Sequence, residues 1–232
     1  MAADRSAAFF DFNGTLVTGE VWEAMRSWKR RRDEWRKRER LLIARQIPIV
    51  MASRVGLVST DFMVRRWMRA AWSTMRGIDA AELADLVADA WERTFRPSIR
   101  DGVAGMVRER RDDGHLLVLV SGTYEPFLGP VQQELGFDAV IGTRVEVEGG
   151  RITGRVVGEV VTGVEKVNLV MTLIRGSSPP IDLGRSLAYA DTERDLDLLE
   201  LVGNPVAVWP NRRLERIAQR QSWPVVGGSG ST

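Results

Sequence analysis

Asp11 stands at the end of a short apolar run, Ala7-Ala8-Phe9-Phe10, and is followed by Asn13-Gly14-Thr15. A carboxylate ahead of a glycine-containing turn sits beside backbone N–H groups, and such groups attract an anion such as phosphate. A carboxylate can also attack phosphorus and form an aspartyl-phosphate. That attack needs a cation to neutralise the approaching charge, and Mg2+ takes oxygen ligands. Asp191 and Asp195 supply two further carboxylates, one helical turn apart in Asp191-Thr192-Glu193-Arg194-Asp195. Lys166 offers a positive charge to offset phosphate, and Ser121 a hydroxyl for a phosphate oxygen.

The elements that must position these side chains follow from hydrophobic period and punctuation. Ala7 to Phe10 predicts a strand, and Asn13-Gly14-Thr15 a tight loop after it. From Glu20 to about Phe95 the pattern is helical, with no strand; Asp79 is the N-cap of a helix running to Trp91. After Ile99 helices and strands alternate. Val103 to Arg111 reads as a helix, and Leu116 to Val120 as a strand ending at Ser121. Pro126 to Leu135 reads as a helix stopped by Gly136. Arg144 to Val147 and Arg151 to Val157 flank Glu148-Gly149-Gly150 as a hairpin. Val164 to Ile174 is a helix, and Leu187 to Ala190 a strand ending at Asp191. Leu196 to Val202 is a helix, Val206 to Trp209 a strand and Asn211 to Gln219 a helix. Asp101, Gly105 and Gly114 read as loop punctuation. This order predicts an α/β fold with a doubly wound, mostly parallel sheet. Ligands of such sheets lie at the carboxyl ends of the strands, and Asp11, Ser121 and Asp191 all fall at predicted strand ends.

The chain has 232 residues, 44% of them hydrophobic, which suits one α/β core or a core carrying an inserted unit. It has no cysteine, which excludes disulfides and thiolate metal sites. Charge is uneven: Thr18 to Pro97 holds 17 Lys/Arg against 11 Asp/Glu, the rest 16 against 20. Six of the eight Trp lie in that basic segment. The division expected is a core of residues 1–17 and 98–226, a helical cap of residues 18–97, and a flexible tail at 227–232. No apolar run reaches 18 residues, so no membrane span is expected. Met1 to Ser6 is short and polar and lacks a signal-peptide pattern, so a cytoplasmic protein is the expectation.

Asp11-Phe12-Asn13-Gly14-Thr15-Leu16 resembles the first motif of the haloacid dehalogenase-like superfamily, usually written D-x-D-G-T-L. Ser121-Gly122-Thr123 resembles its second motif, Lys166 its third, and Ala190-Asp191-Thr192-Glu193-Arg194-Asp195 its fourth. Leu135-Gly136-Phe137-Asp138 to Gly154 is similar to the phosphoserine phosphatase-like branch, in which a helical cap follows the first motif. The resemblance implies a Mg2+-dependent phosphatase with Asp11 as nucleophile. It implies Mg2+ held by Asp11, the backbone carbonyl of Asn13 and Asp191, with Asp195 in support. It implies phosphoryl oxygens held by Ser121, Gly122, Thr15 and Lys166.

The family normally has Asp at position 13, serving as general acid and base; this chain has Asn13. An amide cannot exchange a proton near neutral pH, and losing acid–base help costs on the order of 10²–10⁴ in rate. Three readings stand open: a phosphatase impaired at its acid–base residue, a pseudoenzyme that binds a phosphorylated ligand, or an enzyme whose leaving group needs no proton. The third is a prenyl diphosphate lyase or cyclase, with aromatic rings of the cap stabilising a carbocation.

The cap is expected to set substrate choice, because it closes over the phosphate site. Trp22, Trp67, Trp72, Met25 and Met63 are either its pocket or simply its core. Glu20 and Arg54 are substrate contacts, Glu20 at the place where amino-acid-phosphate phosphatases of this branch look to keep an ammonium-binding carboxylate. Lys29 to Arg40 has eight basic and three acidic residues; the interspersed acids read as a solvated helix face. Val21, Trp28, Trp35 and Leu42 recur every seven residues as a stripe that packs on the cap or on a second subunit of a homodimer. His115, the one histidine, reads as a surface residue. The expected partner is a small phosphorylated or diphosphorylated organic substrate, not nucleic acid.

Overall fold

A computed structural model describes residues 5–30 and 33–227, with the backbone alone for residues 33–37. Strand β1 (Ala7–Phe10) leads into helices α1 (Val21–Arg30), α2 (Asp33–Arg54), α3 (Thr60–Ser73) and α4 (Ala80–Ala90). A π turn at Trp91–Phe95 and a 3-10 turn at Arg96–Ser98 close this run. Then come α5 (Asp101–Asp112), β2 (Leu116–Tyr124), α6 (Gly129–Leu135), β3 (Ala139–Thr143), β4 (Val145–Glu148), β5 (Arg151–Val156) and α7 (Val164–Arg175). The chain continues through β6 (Leu187–Ala190), α8 (Leu196–Glu200), β7 (Asn204–Val208), α9 (Arg212–Gln221) and β8 (Val225–Val226).

Six strands form one sheet in the order β3-β2-β1-β6-β7-β8, and every pairing in it is parallel. In β1 the side chains alternate between faces. Ala8 and Phe10 enter the core shared with Phe12, Leu16 and Trp72, while Ala7 and Phe9 enter a second core with Val118, Leu198 and Leu214. Both faces of the sheet are therefore buried, as a doubly wound fold requires. Phe10 stacks on Tyr189 of β6 at 4.3 Å, locking the two central strands side by side.

Local chemistry sets the ends of these elements. Asp79 caps α4, its carboxylate accepting from the Glu82 N–H at 2.8 Å, as expected. Gly136 ends α6 in the left-handed conformation at φ 64°, where a Cβ is unfavourable. Pro126 lies in a 3-10 turn before α6, so the helix starts three residues later than its sequence promises. Asp101 and Gly105 are not punctuation but lie inside α5, with Asp101 as its first residue. There its carboxylate complements the helix dipole. Two strands lack a clear sequence signal: β3, which is short and contains Gly142, and the two-residue β8. Parallel pairing with β2 and β7 supplies what local propensity does not.

The β4–β5 hairpin forms where expected, as a separate antiparallel pair. Its backbone bonds to the turn before α4: Gly77 N–H donates to the Ile152 carbonyl at 2.8 Å, and Ile152 N–H to the Ile78 carbonyl at 2.7 Å. The hairpin thus ties the helical run to the α/β part. Trp28 and Leu42 are buried and Val21 packs against the main core. These members of the seven-residue stripe are accounted for within this chain, without a second subunit. The side chains of residues 31–37, which include Trp35 and much of the basic run, and residues 228–232 lie outside what is described. Among the described residues no helix is long and apolar enough to cross a membrane.

Candidate active site

Asp11 follows β1 directly, and its N–H still pairs with the Tyr189 carbonyl of β6 at 2.9 Å. The loop after it is tight: Gly14 N–H donates to the Val17 carbonyl at 2.8 Å, and Val17 N–H to the Phe12 carbonyl at 3.0 Å. Gly14 has φ 84°, and a Cβ there would lie 2.1 Å from Asp191 Oδ2. Only glycine lets the loop come this close to the neighbouring strand end. Arg100 fastens the loop from outside, its Nε donating to the Gly14 carbonyl at 3.2 Å.

Lys166, in the first turn of α7, is buried between two carboxylates. Its Nζ donates to Asp11 Oδ1 at 2.6 Å and lies 2.5 Å from Asp195 Oδ1. Burial alone would lower the lysine pKa, but Asp11 and Asp195 outweigh it and hold the ammonium charged. Asp11, Asp191 and Asp195 each bring one oxygen to within 4.8 Å of the others. Burial pushes Asp11 up to about 6, against the pull of Lys166. Burial, then the charges of Asp11 and Asp195, push Asp191 up to about 7. Three hard oxygen donors this close, with positive charge in short supply, fit a divalent cation such as Mg2+. Thr15 is buried between Asp11 and Asp191, its Oγ1 3.4 Å from an oxygen of each.

Ser121 lies within β2 rather than after it, because the strand runs on to Tyr124 through an irregularity between Val120 and Tyr124. Ser121 Oγ accepts from the Thr123 N–H at 3.0 Å, which leaves its own hydroxyl proton for another acceptor. A Cβ on Gly122 would meet the Val161 carbonyl at 3.0 Å, so the second motif is backed closely by the segment ahead of α7. Asn13 also lines this site, its amide held at both ends: Nδ2 donates to the Gly19 carbonyl at 2.9 Å, and Oδ1 accepts from Thr123 Oγ1 at 2.5 Å.

These groups floor a cavity of about 300 Å3. Glu20, Trp22, Met25 and Trp67 line it, as the sequence led us to expect, with Trp22 and Trp67 edge-to-face at 5.1 Å. Three residues expected at the cavity are not there: Met63, half-buried in α3, lies outside its lining, as do Arg54 and Trp72. Arg54 is exposed at the end of α2 and does not line the cavity, because α2 runs outward from it. Trp72 is fully buried against Tyr124, 4.6 Å between ring centres, as part of the core. Val64, Met68 and Ala71 complete the apolar wall. Their α3 spacing of three and four residues is the signal that could have found them. Arg194, between the two fourth-motif aspartates, and Thr162 also line the cavity. Thr162 Oγ1 is buried without a hydrogen-bond partner among the described residues. His115 is half-buried, with Nδ1 2.8 Å from Ser6 Oγ; it directly precedes β2 and so stands at the end of that strand opposite Ser121.

A parallel sheet that gathers three carboxylates at its strand ends, with the buried Lys166 of α7 between two of them at the floor of a cavity, has the charges to suit an anion and a cation side by side. Residues 8–200 match the haloacid dehalogenase-like hydrolase family, and the chain belongs to it. It is 28% identical over 221 residues to the phosphoserine phosphatase SerB1 of Mycobacterium tuberculosis, covering 95% of this chain and 70% of that one. Among solved structures, a protein of unknown function from Bordetella pertussis Tohama I superposes with a TM-score of 0.80 at 26% identity, over 97% of this chain and 99% of that one. A phospho-aspartyl intermediate analogue of phosphoserine phosphatase superposes with a TM-score of 0.65 at 18% identity, over 96% and 93% of the two chains. The fold is phosphoserine phosphatase-like.

Proposed function

We propose that this chain is a Mg2+-dependent phosphomonoesterase that works through an aspartyl-phosphate on Asp11 and is slowed by Asn13. The observation that carries the reading is Lys166 held at 2.6 Å from Asp11 Oδ1, with Asp191 and Asp195 beside them at the cavity floor. The kinship with a phosphatase from Mycobacterium tuberculosis supports the same class.

Asp11 Oδ1 or Oδ2 attacks the phosphorus; an Asp–O–P bond forms and the P–O bond to the alcohol breaks. Lys166, Ser121, Thr15 and the Gly122 N–H bind the phosphoryl oxygens, and the unpartnered Thr162 hydroxyl is placed to join them. Asp11, the Asn13 carbonyl oxygen and Asp191 would hold Mg2+, with Asp195 positioning Lys166. Bound there, Mg2+ supplies charge neutralisation for the attack. The departing alkoxide takes its proton from water, because the Asn13 amide has none to give near neutral pH. Water then cleaves the aspartyl-phosphate, releasing orthophosphate and regenerating Asp11.

Residues 18–97 act as the cap over a core of residues 1–17 and 98–226. The cap's Trp22, Met25, Val64, Trp67 and Met68 make the upper wall apolar. The substrate is therefore a small organic phosphate whose alcohol part carries apolar surface, with Glu20 and Arg194 at hand for polar groups.

The test pairs the chain with its Asn13→Asp variant, each with Mg2+ and a panel of phosphomonoesters and prenyl diphosphates. Orthophosphate and diphosphate are assayed separately. The expected result is orthophosphate release raised by roughly 10²-fold or more in Asn13→Asp. Diphosphate release by the Asn13 form would establish ionisation chemistry instead. Ligand binding with no turnover in either form would make the chain a binding protein.

A further inference from the structure

The hairpin of α2 and α3 carries surface that the phosphoryl site leaves unused. Among the described residues, seven of the twelve exposed large hydrophobic side chains lie between Leu41 and Phe62. Five gather toward the end of the hairpin: Ile47, Met51, Val55, Leu57 and Phe62 are 55%, 52%, 68%, 78% and 44% exposed. Ile47, Met51 and Val55 follow one another at one-turn spacing, and Leu57 lies in the turn between the helices. Single exposed apolar side chains are ordinary on soluble proteins, but a concentration of this kind marks a contact surface.

The charge around this tip is one-sided. From Arg40 to Thr60 there are three arginines and no carboxylate. Behind the tip, α2 and α3 flank a groove of about 980 Å3 lined by Arg38, Arg45, Arg65, Arg66 and Arg69, with Glu159 the one carboxylate among the described residues that line it. Asp61 pairs with Arg65 at 2.8 Å and Glu159 with Arg69 at 2.9 Å. Arg45 and Arg66 have no carboxylate partner among the described residues. Like charges facing each other across a groove repel until an anion lies between them.

We propose that the α2–α3 hairpin is a membrane-interface anchor: its apolar tip enters the headgroup–acyl boundary of an anionic bilayer, and the arginines behind it lie among the lipid phosphates. Apolar insertion combined with basic charge is the pattern of peripheral binding, without a span. A second copy of this chain suits the face less well, because it would set the same arginines against each other. Nucleic acid would satisfy the arginines and leave the apolar tip in water. The anchor includes α3, the helix whose other side, through Val64, Trp67, Met68 and Ala71, walls the cavity. The anchor stands independently of the phosphatase reading.

The full chain is mixed with vesicles of phosphatidylcholine alone or with added phosphatidylglycerol, and bound protein is measured by co-sedimentation at low and high salt. The expected result is at least ~tenfold stronger partition onto the phosphatidylglycerol vesicles, weakened by salt. Met51→Glu/Leu57→Glu and, separately, Arg45→Glu/Arg66→Glu each lower that partition by at least ~tenfold. The substituted residues are partly or largely solvent-exposed, so circular dichroism and thermal melting stay as in the parent. Equal partition onto neutral vesicles, or none onto either, would overturn the proposal. So would a dimer in sedimentation velocity that Met51→Glu/Leu57→Glu dissociates, since the tip would then be a self-interface.

Discussion

The Thr123 hydroxyl donates to Asn13 Oδ1 at 2.5 Å, and this bond joins the second motif to the first at the residue where the chain departs from its family. The other end of the same amide donates to the Gly19 carbonyl at 2.9 Å. A group at position 13 therefore needs one acceptor and one donor. The amide supplies both; an aspartate does so only when protonated. In Asn13→Asp this network should favour the acid form of the new carboxyl, since both bonds are satisfied only in the neutral state.

In the Asn13→Asp background, Thr123→Val removes the partner that orients the new acid. The orthophosphate release gained by Asn13→Asp should fall by about tenfold, the worth of one hydrogen bond. Steady-state kinetics on the best phosphomonoester checks this. An unchanged rate would mean that Thr123 does not orient position 13.

Lys166→Met should strand two buried carboxylates. Removing one partner of a buried pair typically costs about 3–5 kcal/mol, and here both Asp11 and Asp195 lose their cation. Urea unfolding at pH 8 should show a loss of that order. The loss should shrink in acid, where Asp11 takes up a proton.

Asp191 gives a pH signature. Its pKa rises from 3.8 to about 7 in the fold, by burial first and then by Asp11 and Asp195. Between about 4 and 7 the folded chain therefore holds more protons than the unfolded one, and stability falls as pH rises through that window. Asp191→Asn should flatten the slope and raise the melting temperature at pH 8 without Mg2+. Added Mg2+ should raise the melting temperature of the parent, and most of that gain should vanish in Asp191→Asn. Melting curves with and without Mg2+ test both halves. Equal Mg2+ stabilisation of the two proteins would remove Asp191 from the metal site.

Lys29 titrates in the opposite sense. It is buried within the helical run, 2.5 Å from Thr74 Oγ1 and 5.4 Å from the Trp22 ring centre. Burial lowers its pKa from 10.5 to about 8, with Glu39 opposing. Between those values the unfolded chain binds the extra proton, so stability should rise with pH from about 8 to 10.5. The full rise is roughly 3 kcal/mol for a shift of this size. Lys29→Met should abolish the rise and be the more stable protein at pH 7. Denaturant unfolding at pH 7 and pH 10 measures it.

Much of this protein was legible in its residues. The alternation of short apolar runs with amphipathic segments dictated a parallel sheet, because buried strands and crossover helices have different periods. Asp11, Lys166, Asp191 and Asp195 were legible because each stands at or near a strand end or helix start, where backbone geometry leaves a side chain facing the ligand. Tertiary structure alone decided the rest. β3 and β8 form because β2 and β7 offer them a ladder, not because their own residues insist on it. Trp72 and Trp67 have the same composition value in a sequence, yet one fills the core and the other walls the cavity. Arg54 lost its expected place because α2 carries it outward, and Thr162 and Arg194 gained theirs because their loops fold over the strand ends. Which way Asn13 points depended on Thr123, 110 residues away in the chain. Local periodicity determines which elements form and which residues end them; only packing determines which side chains then share a space.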